Sequence, residues 1–228
     1  MSKCEQCIVR QLNSLKALTA KELSKISACK TTKVIKKGEI IFDEGEHLNG
    51  VYCISNGVCK VSKMSSNGRE QIINLANKGD TLGERSLIND EVANLKATAI
   101  NDMEVCFIPR DEIINDLKRN PDFTMNILKD MAISLKIADN IIVDMAQKTV
   151  KQRLAEMLIN LDKKFGNNIH GALEVQLSRE DIANMIGTAT ESAIRLLSDF
   201  KKNNLIELKG KSISITNSAG LQKIAQGF

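Results

Sequence analysis

At 228 residues and 43% hydrophobic content, the chain is long enough for one large or two modest domains with ordinary cores. No apolar run approaches the ~18 residues that a membrane span needs, and the first residues lack the apolar stretch of a secretion signal. We therefore expect a cytoplasmic protein without membrane contact, whose six cysteines stay reduced or bind metal. The two histidines, His47 and His170, fall in different parts of the chain, so we expect no enzyme built on a histidine-rich metal site.

The net charge of +4 is unevenly distributed along the sequence. From Lys148 onward there are 12 Lys and Arg residues against 8 Asp and Glu residues, whereas the first 147 residues hold 20 of each. A basic C-terminal part suits contact with phosphates. The charge pattern therefore favours a nucleic-acid partner for residues 148–228.

The N-terminal part predicts a helix followed by many short strands. Residues 4–29 contain a Cys-x-x-Cys motif at Cys4 and Cys7 and a helical segment around Leu15, Leu18 and Leu23. The β-favouring runs that follow are separated by glycine turns at roughly ten-residue spacing. They are 33–35, 40–42, 51–54, 58–61, 71–75 and 105–108. This pattern is typical of an antiparallel barrel or roll, which we assign to a domain at residues 1–119.

A long helix is predicted over residues 120–147, because Asn120 suits the cap position and Pro121 the first turn. Apolar residues then recur at alternating three- and four-residue steps, as in the a/d seam of a coiled coil. The seam residues are Leu128, Met131, Leu135, Ala138, Ile142 and Met145. A seam this narrow favours a partner helix in a parallel homodimer, and packing against the chain's own roll is the alternative. Because every seam position is apolar, we expect a dimer that forms without a signal.

A pair of short helices is predicted near the end of the chain, within a third domain at residues 148–228. Ser178 and Asp181 have capping-box spacing, and Gly187 suits the left-handed stop of the first helix. The second helix is predicted over residues 188–202. Its core face is defined by residues at three- and four-residue steps: Ala189, Ala193, Leu196, Leu197 and Phe200.

The opposite face of the second helix is predicted to enter the DNA major groove, as in a helix-turn-helix. Arg195 can bind guanine O6 and N7, Glu191 can accept from cytosine N4, and Ile194 suits a thymine methyl group. The same face carries Thr190, Ser192 and Ser198, with Lys201 and Lys202 as candidate phosphate contacts. A hairpin follows at 205–208 and 212–215, with Gly210 in the turn, which completes a winged helix.

Two other interpretations of this face are open. Thr188 and Glu191 also have capping-box spacing, so Glu191 could serve its own helix. Glu191 and Arg195 could also form an exposed ion pair one turn apart, worth a few tenths of a kcal/mol.

The order of roll, long helix and winged helix resembles the Crp/Fnr family of bacterial transcription regulators. The resemblance covers essentially the whole chain and is most specific in GDTLGE at 79–84, NPD at 120–122 and TESAIR at 190–195. It implies an α+β fold with a cyclic-nucleotide-binding-like N-terminal β-roll, a dimerisation helix and a C-terminal winged helix-turn-helix. It also implies double-stranded DNA and RNA polymerase as partners, with Glu191 and Arg195 reading the inner G·C pair of each palindromic half-site. Activation and repression both stay open.

The resemblance places a ligand pocket at Gly83, Glu84, Arg85 and Ser86. Relatives that bind cyclic AMP also carry an arginine about ten residues later that grips the cyclic phosphate, and residues 92–96 hold no arginine. A buried phosphate without that partner keeps its desolvation cost, so we do not expect tight binding of cyclic AMP. A ligand-binding regulatory subunit without a DNA role is the alternative function, and it would leave the outward face of the second helix unexplained.

The oxygen-sensing branch of the family is the closer match at the cysteines. By that resemblance Cys4, Cys7 and Cys106 match three of the four ligands of an iron–sulfur cluster, while the remaining position is Asn13. Cys29 is the nearest spare thiol. Three interpretations stay open: a cluster completed by Cys29 or by a non-cysteine ligand, a thiol–disulfide switch at Cys4 and Cys7, and unreactive thiols.

Overall fold

The computed structural model describes residue 4 and residues 7–227, and the chain divides into two compact units. The first unit comprises residues 1–63 and 73–136, and the second comprises residues 64–72 and 137–228. The domain boundaries that the sequence suggests, after residues 119 and 147, stay predictions.

The first unit begins with two short 3-10 helices, Ile8–Leu12 and Ser14–Ala17, followed by α1 (Ala20–Cys29). The strands of the roll are β1 (Thr31–Ile35), β2 (Ile40–Phe42), β3 (Gly50–Asn56), β4 (Val58–Met64), β5 (Glu70–Asn77), β6 (Thr81–Leu82), β7 (Lys96–Ala99) and β8 (Met103–Pro109). Two further helices are α2 (Glu84–Asn89) and α3 (Arg110–Arg119).

The strands form two four-stranded sheets, in the orders β1-β8-β3-β6 and β2-β7-β4-β5. The pairs of defined register are antiparallel, among them β3 with β8 and β4 with β7. One core of the roll is lined by fully buried residues from these strands: Ile54, Cys59, Ala97 and Val105. The predicted antiparallel roll is therefore confirmed.

A second core lies where α1, α3 and the start of α4 (Pro121–Gln147) cover the first sheet. It contains Ile26, Leu87, Ile113 and Phe123. The sequence did not reveal α2, α3, β6 or β7. Each of these elements is short, and α3 carries only a few apolar residues among its charges. Neither the helical nor the strand spacing of apolar residues is therefore visible in them.

Helix α4 begins where the sequence indicated. The Asn120 side chain accepts a hydrogen bond from the Phe123 amide at 3.0 Å, which makes Asn120 the cap and Pro121 the first helical residue. The seam is partly open to solvent. Leu128, Leu135 and Ile142 are exposed, whereas Met131, Ala138 and Met145 are half-buried.

The second unit contains a three-helix core and a small sheet. Its elements after α4 are α5 (Val150–Phe165), α6 (Arg179–Ile186), α7 (Thr190–Lys202), β9 (Ile206–Lys209), β10 (Ser212–Ile215) and α8 (Ser218–Ala225). The core residues come from α5, α6 and α7: Leu154, Leu158, Ile182, Ile186, Leu197 and Phe200. Helix α8, which packs on α5, was not anticipated from the sequence. Among the described residues, no helix combines the length and apolarity needed to cross a bilayer.

Candidate nucleic-acid interface

The first helix of the pair, α6, is held at both ends as the sequence predicts. The Ser178 hydroxyl accepts from the Asp181 amide at 2.9 Å, and the Asp181 carboxylate accepts from the Ser178 amide at 3.3 Å. Gly187 closes the helix in the left-handed region, with φ 64°. Only residues 187–189 separate α6 from α7, so the two helices form a tight helix-turn-helix.

Helix α7 starts two residues later than the sequence suggested, at Thr190. Ala189 is its N-cap residue, with extended backbone and an exposed side chain, so the prediction that Ala189 faces the core was wrong. The cap lacks a side-chain hydrogen bond, and the capping box between Thr188 and Glu191 does not form. A cap residue lies outside the helical phase, which is why the spacing rule failed there.

The rest of α7 keeps the predicted division into two faces. Ala193, Leu197 and Phe200 are at most 1% exposed and fix the helix to the core. The opposite face carries the remaining predicted residues: Glu191, Ile194, Arg195 and Ser198 are exposed, and Thr190 and Ser192 are half-buried. Ile194 is 44% exposed, an apolar side chain on an otherwise polar surface. The helix therefore presents the predicted DNA-reading face to solvent.

The guanidinium of Arg195 remains available on this face. Its Nη2 atom makes one long hydrogen bond, to the Ser192 hydroxyl at 3.5 Å. No ion pair within the described part of the chain joins Arg195 to Glu191, so the interpretation of these residues as an exposed ion pair is not supported. Both side chains can therefore be directed at base edges.

Basic side chains lie at the end of α7. Lys201 and Lys202 are exposed in its last turn. The carboxylate of the nearby Asp199 pairs with Lys151 of α5 at 2.9 Å rather than with either of these lysines. The hydrogen bond from Lys151 holds the pKa of Asp199 below its usual value. The carboxylate is thus engaged by α5, and the two lysines form an exposed cationic end.

The structure adds Arg179, which the sequence reasoning missed. This first residue of α6 donates from Nη2 to the carbonyl of Gly210 in the wing turn at 2.8 Å. Burial lowers its pKa, and its Nη1 atom is buried without a hydrogen-bond partner among the described residues. Gly210 has φ 60°, a conformation that suits glycine at the turn between β9 and β10. Arg179 therefore ties the wing to the helix pair across 31 residues of sequence.

The tip of the β4–β5 hairpin belongs to the same compact unit as the helix pair. Gln71 donates from its side chain to the Met185 carbonyl at 3.2 Å, near the end of α6. Asn184 donates to the Glu70 carboxylate at 3.0 Å. These two contacts fix the end of the first helix, and the sequence carries no local signal of them.

The predicted ligand residues lie at the start of α2. Gly83 has φ 95° at the cap, Arg85 is exposed and Ser86 is buried. Burial raises the pKa of Glu84 to about 7, and Asp130 and Asp80 add to the rise. The nearby segment 92–96 has one cation, Lys96, and its ammonium pairs with Asp43 at 3.2 Å.

The predicted cysteine ligands gather in one core but do not fit a metal centre. Cys4 is buried there, and Cys7 and Cys106 are half-buried against it. Lys30, a residue that is 9% exposed, lies beside these thiols. Burial lowers the pKa of its ammonium, but the thiols raise that pKa by more than burial lowers it, so the ammonium stays charged. Cys29 donates instead to the Ile26 carbonyl at 3.5 Å.

No group of three or more Cys, His, Asp or Glu side chains in the described residues is arranged to hold a metal ion. The residues present do not fit the iron–sulfur cluster that the resemblance implies.

Comparisons with known proteins agree with this architecture. Residues 32–120 match the cyclic nucleotide-binding domain family, and residues 152–224 match the Crp-like helix-turn-helix domain family. The fumarate and nitrate reduction regulatory protein of Vibrio cholerae is 31% identical over 97% of this chain and 90% of its own length. The CRP-like cAMP-activated global transcriptional regulator of Mycobacterium tuberculosis is 29% identical over 83% of this chain and 86% of its own length.

Among solved structures, a transcriptional regulator of the Crp/Fnr family from Eubacterium rectale shares the fold. Its TM-score is 0.78 at 21% identity, over 93% of this chain and 97% of that one. The matched helix-turn-helix region includes the whole of α6 and α7. The chain therefore belongs to the Crp/Fnr family of DNA-binding transcription regulators, which are not enzymes.

Proposed function

We propose that the protein is a homodimer that reads a palindromic DNA site with two copies of α7. The exposed face of α7 carries the proposal: Glu191, Ile194 and Arg195 point away from a core that Leu197 and Phe200 hold. Two such helices about 34 Å apart reach successive major grooves on one side of the duplex. The wing and the lysines at the end of α7 are suited to phosphates.

The face supports a specific base assignment. The Arg195 guanidinium can donate two parallel hydrogen bonds to guanine O6 and N7, and Glu191, one turn earlier, can accept from cytosine N4. Ile194 lies between them in sequence and offers methyl groups to a thymine. The assignment therefore predicts an inner G·C pair in each half-site with a thymine next to it.

Selection of bound fragments from random duplex DNA tests this assignment. The wild-type protein should enrich a palindrome, and Arg195→Ala should lose about 1–3 kcal/mol of affinity and accept other bases at one position per half-site. Arg119→Ala, an exposed arginine of α3, is the matched control and should select the wild-type motif. An unchanged motif for Arg195→Ala would contradict the role of Arg195.

The homodimer is supported by the exposed seam of α4. Leu135 is 64% and Ile142 66% exposed, and burying such side chains between two helices is favourable at about 25 cal/mol per Å². A partner copy offers the same surface, as a two-fold interface requires. The seam lacks charged residues, so the dimer should form without a signal.

Sedimentation at micromolar concentration tests the dimer. The wild-type chain should sediment as a dimer, and Leu135→Asp should shift it to monomer because two carboxylates would face each other in the seam. Ile133→Asp is the control, since Ile133 is 56% exposed but lies two residues off the seam. A wild-type monomer would contradict the proposed dimer. A dimer that survives Leu135→Asp but not Ile133→Asp would show that the seam of α4 is not the dimer interface.

We extend the proposal to the ligand and the setting. Cyclic AMP should not bind tightly, because residues 92–96 offer only Lys96 and Asp43 already pairs with it. Calorimetric titration should show no saturation at micromolar cyclic AMP, and saturation there would overturn this.

As a DNA-binding regulator, the protein should act in the cytoplasm together with RNA polymerase, which co-sedimentation on promoter DNA can test.

A further inference from the structure

Two thiols of the first sheet face each other across neighbouring strands. Cys53 on β3 and Cys106 on β8 are direct partners in the antiparallel register. Both are free thiols, and both pack in the core that α1 and α3 cover. Opposed residues of an antiparallel pair direct their side chains to the same side of the sheet. The two side chains therefore lie on the same side of the sheet.

The backbone spacing at this pair suits a disulfide. The Ile54 amide donates to the Asp80 carbonyl at 3.0 Å, and the Ile54 carbonyl accepts from Gly79 at 3.0 Å. Since amide groups alternate along a strand, those of Cys53 face β8, and Cys53 and Cys106 form a hydrogen-bonded pair with Cα atoms about 5.5 Å apart. Disulfides span Cα separations of about 4.4–6.8 Å, so the strands need little movement.

The same geometry makes such a bond easy to reverse. Opposed Cβ atoms lie about 4.5–5.5 Å apart, whereas a relaxed disulfide brings them to about 3.8 Å. Closing this gap strains the bond, and strained disulfides are reduced more readily.

The two thiols have different surroundings. Cys106 is half-buried, with its sulfur 3.9 Å from the Thr32 hydroxyl and close to the Lys30 ammonium. Cys53 is buried, and burial raises its pKa to about 12, although the Asn13 side chain donates to its sulfur at 3.2 Å. Cys106 is therefore the thiol that an external reagent reaches first.

We propose that Cys53 and Cys106 are a reversible oxidation site for small-molecule disulfides. The Cys106 thiolate attacks one sulfur of the reagent, a mixed disulfide forms, and one small thiolate leaves with the proton that Cys106 gave up. Cys53 then attacks the Cys106 sulfur, and the second small thiolate leaves and takes the proton of Cys53. Two protein thiols are oxidised, and one small disulfide is reduced to two thiols.

Peptide mapping of the full-length protein after treatment with oxidised glutathione tests the proposal. After alkylation and digestion without reductant, the peptides of Cys53 and Cys106 should be joined, and dithiothreitol added before alkylation should separate them. Cys29→Ser, which removes another half-buried thiol, should give the same joined peptides. Wild-type protein that yields a Cys4–Cys7 bond instead, or no joined peptides, would overturn the proposal.

A second variant separates the two chemical steps. In Cys53→Ser the resolving thiol is absent, so glutathione should stay attached to Cys106, with a mass increase of one glutathione per chain. Cys106→Ser should leave Cys53 unmodified because that thiol is buried. Glutathione on Cys53 in the Cys106→Ser protein would contradict the order of attack.

Discussion

The DNA-reading face and the thiol pair are built in opposite ways. The side chains of the face all come from α7, where a single helical period separates core from surface. The thiol pair joins β3 to β8 across 53 residues of sequence, and Asn13 and Lys30 come from two further segments. The DNA-reading face lies on one helix and depends on the core beneath that helix. The thiol pair consists of residues from two strands and depends on the register between those strands. The two regions should therefore respond to different changes.

The largest expected effect is on the core beneath the face. Phe200 is fully buried, and Phe200→Ala should lower the free energy of unfolding by about 3–5 kcal/mol, because it removes a large side chain and leaves a cavity. Urea denaturation measures this, and DNA affinity should fall with it. Ile194→Ala, on the outward face of the same helix, should change stability by less than about 0.5 kcal/mol. Equal effects of the two variants would show that α7 is not divided into two faces.

The next effect lies in the roll and depends on pH. Asp116 of α3 is 4% exposed, its Oδ2 atom has no hydrogen-bond partner among the described residues, and burial raises its pKa to about 6, with Glu22 and Glu112 adding to the rise. The folded state thus favours the protonated acid. The contribution of the Asp116 carboxyl to the free energy of unfolding is fully present below its ordinary pKa of 3.8, and it is lost as the pH rises through about 6.

Asp116→Asn removes this ionisation and should raise the free energy of unfolding at pH 7.5 by about 1–3 kcal/mol. At pH 5 the gain should shrink. Asp111→Asn, an exposed carboxylate on the same helix, should show no such pH dependence. Thermal denaturation at the two pH values distinguishes these outcomes, and a loss of stability in Asp116→Asn at pH 7.5 would contradict a strained buried carboxylate.

The sequence predicts the DNA-reading face better than the thiol pair, because the face lies on one helix and the pair joins two distant strands. Ser178, Asp181 and Gly187 act within one turn of chain, so their residue types suffice to place both ends of α6. Ala189 was misplaced only because a cap lies outside the helical period. For the cysteines, the only local motif in the sequence is the Cys-x-x-Cys of Cys4 and Cys7, and Cys106 was a candidate by resemblance alone. The facing pair emerges only from the register of β3 and β8, which no local pattern specifies.

A smaller effect concerns Arg179, which belongs to the DNA-binding unit but was also hidden from the sequence. Arg179→Ala removes its hydrogen bond to Gly210 and should cost about 1 kcal/mol of stability. It should also speed amide hydrogen exchange in the wing turn. Glu180→Ala, the exposed neighbouring residue, should leave the exchange of the wing unchanged. If both variants exchange at the wild-type rate, Arg179 does not hold the wing.

The smallest effect separates phosphate contacts from base contacts within the same helix. Lys201→Ala should weaken binding to all sequences alike and reduce the slope of log K against log salt by about one unit per subunit, because one fewer counterion is released. Arg195→Ala should instead change which sequence is bound. Lys163→Ala, an exposed lysine of α5, should keep the wild-type slope. A wild-type slope for Lys201→Ala would remove that lysine from the phosphate-binding surface and leave the base-reading residues of α7 to be judged by the selected motif alone.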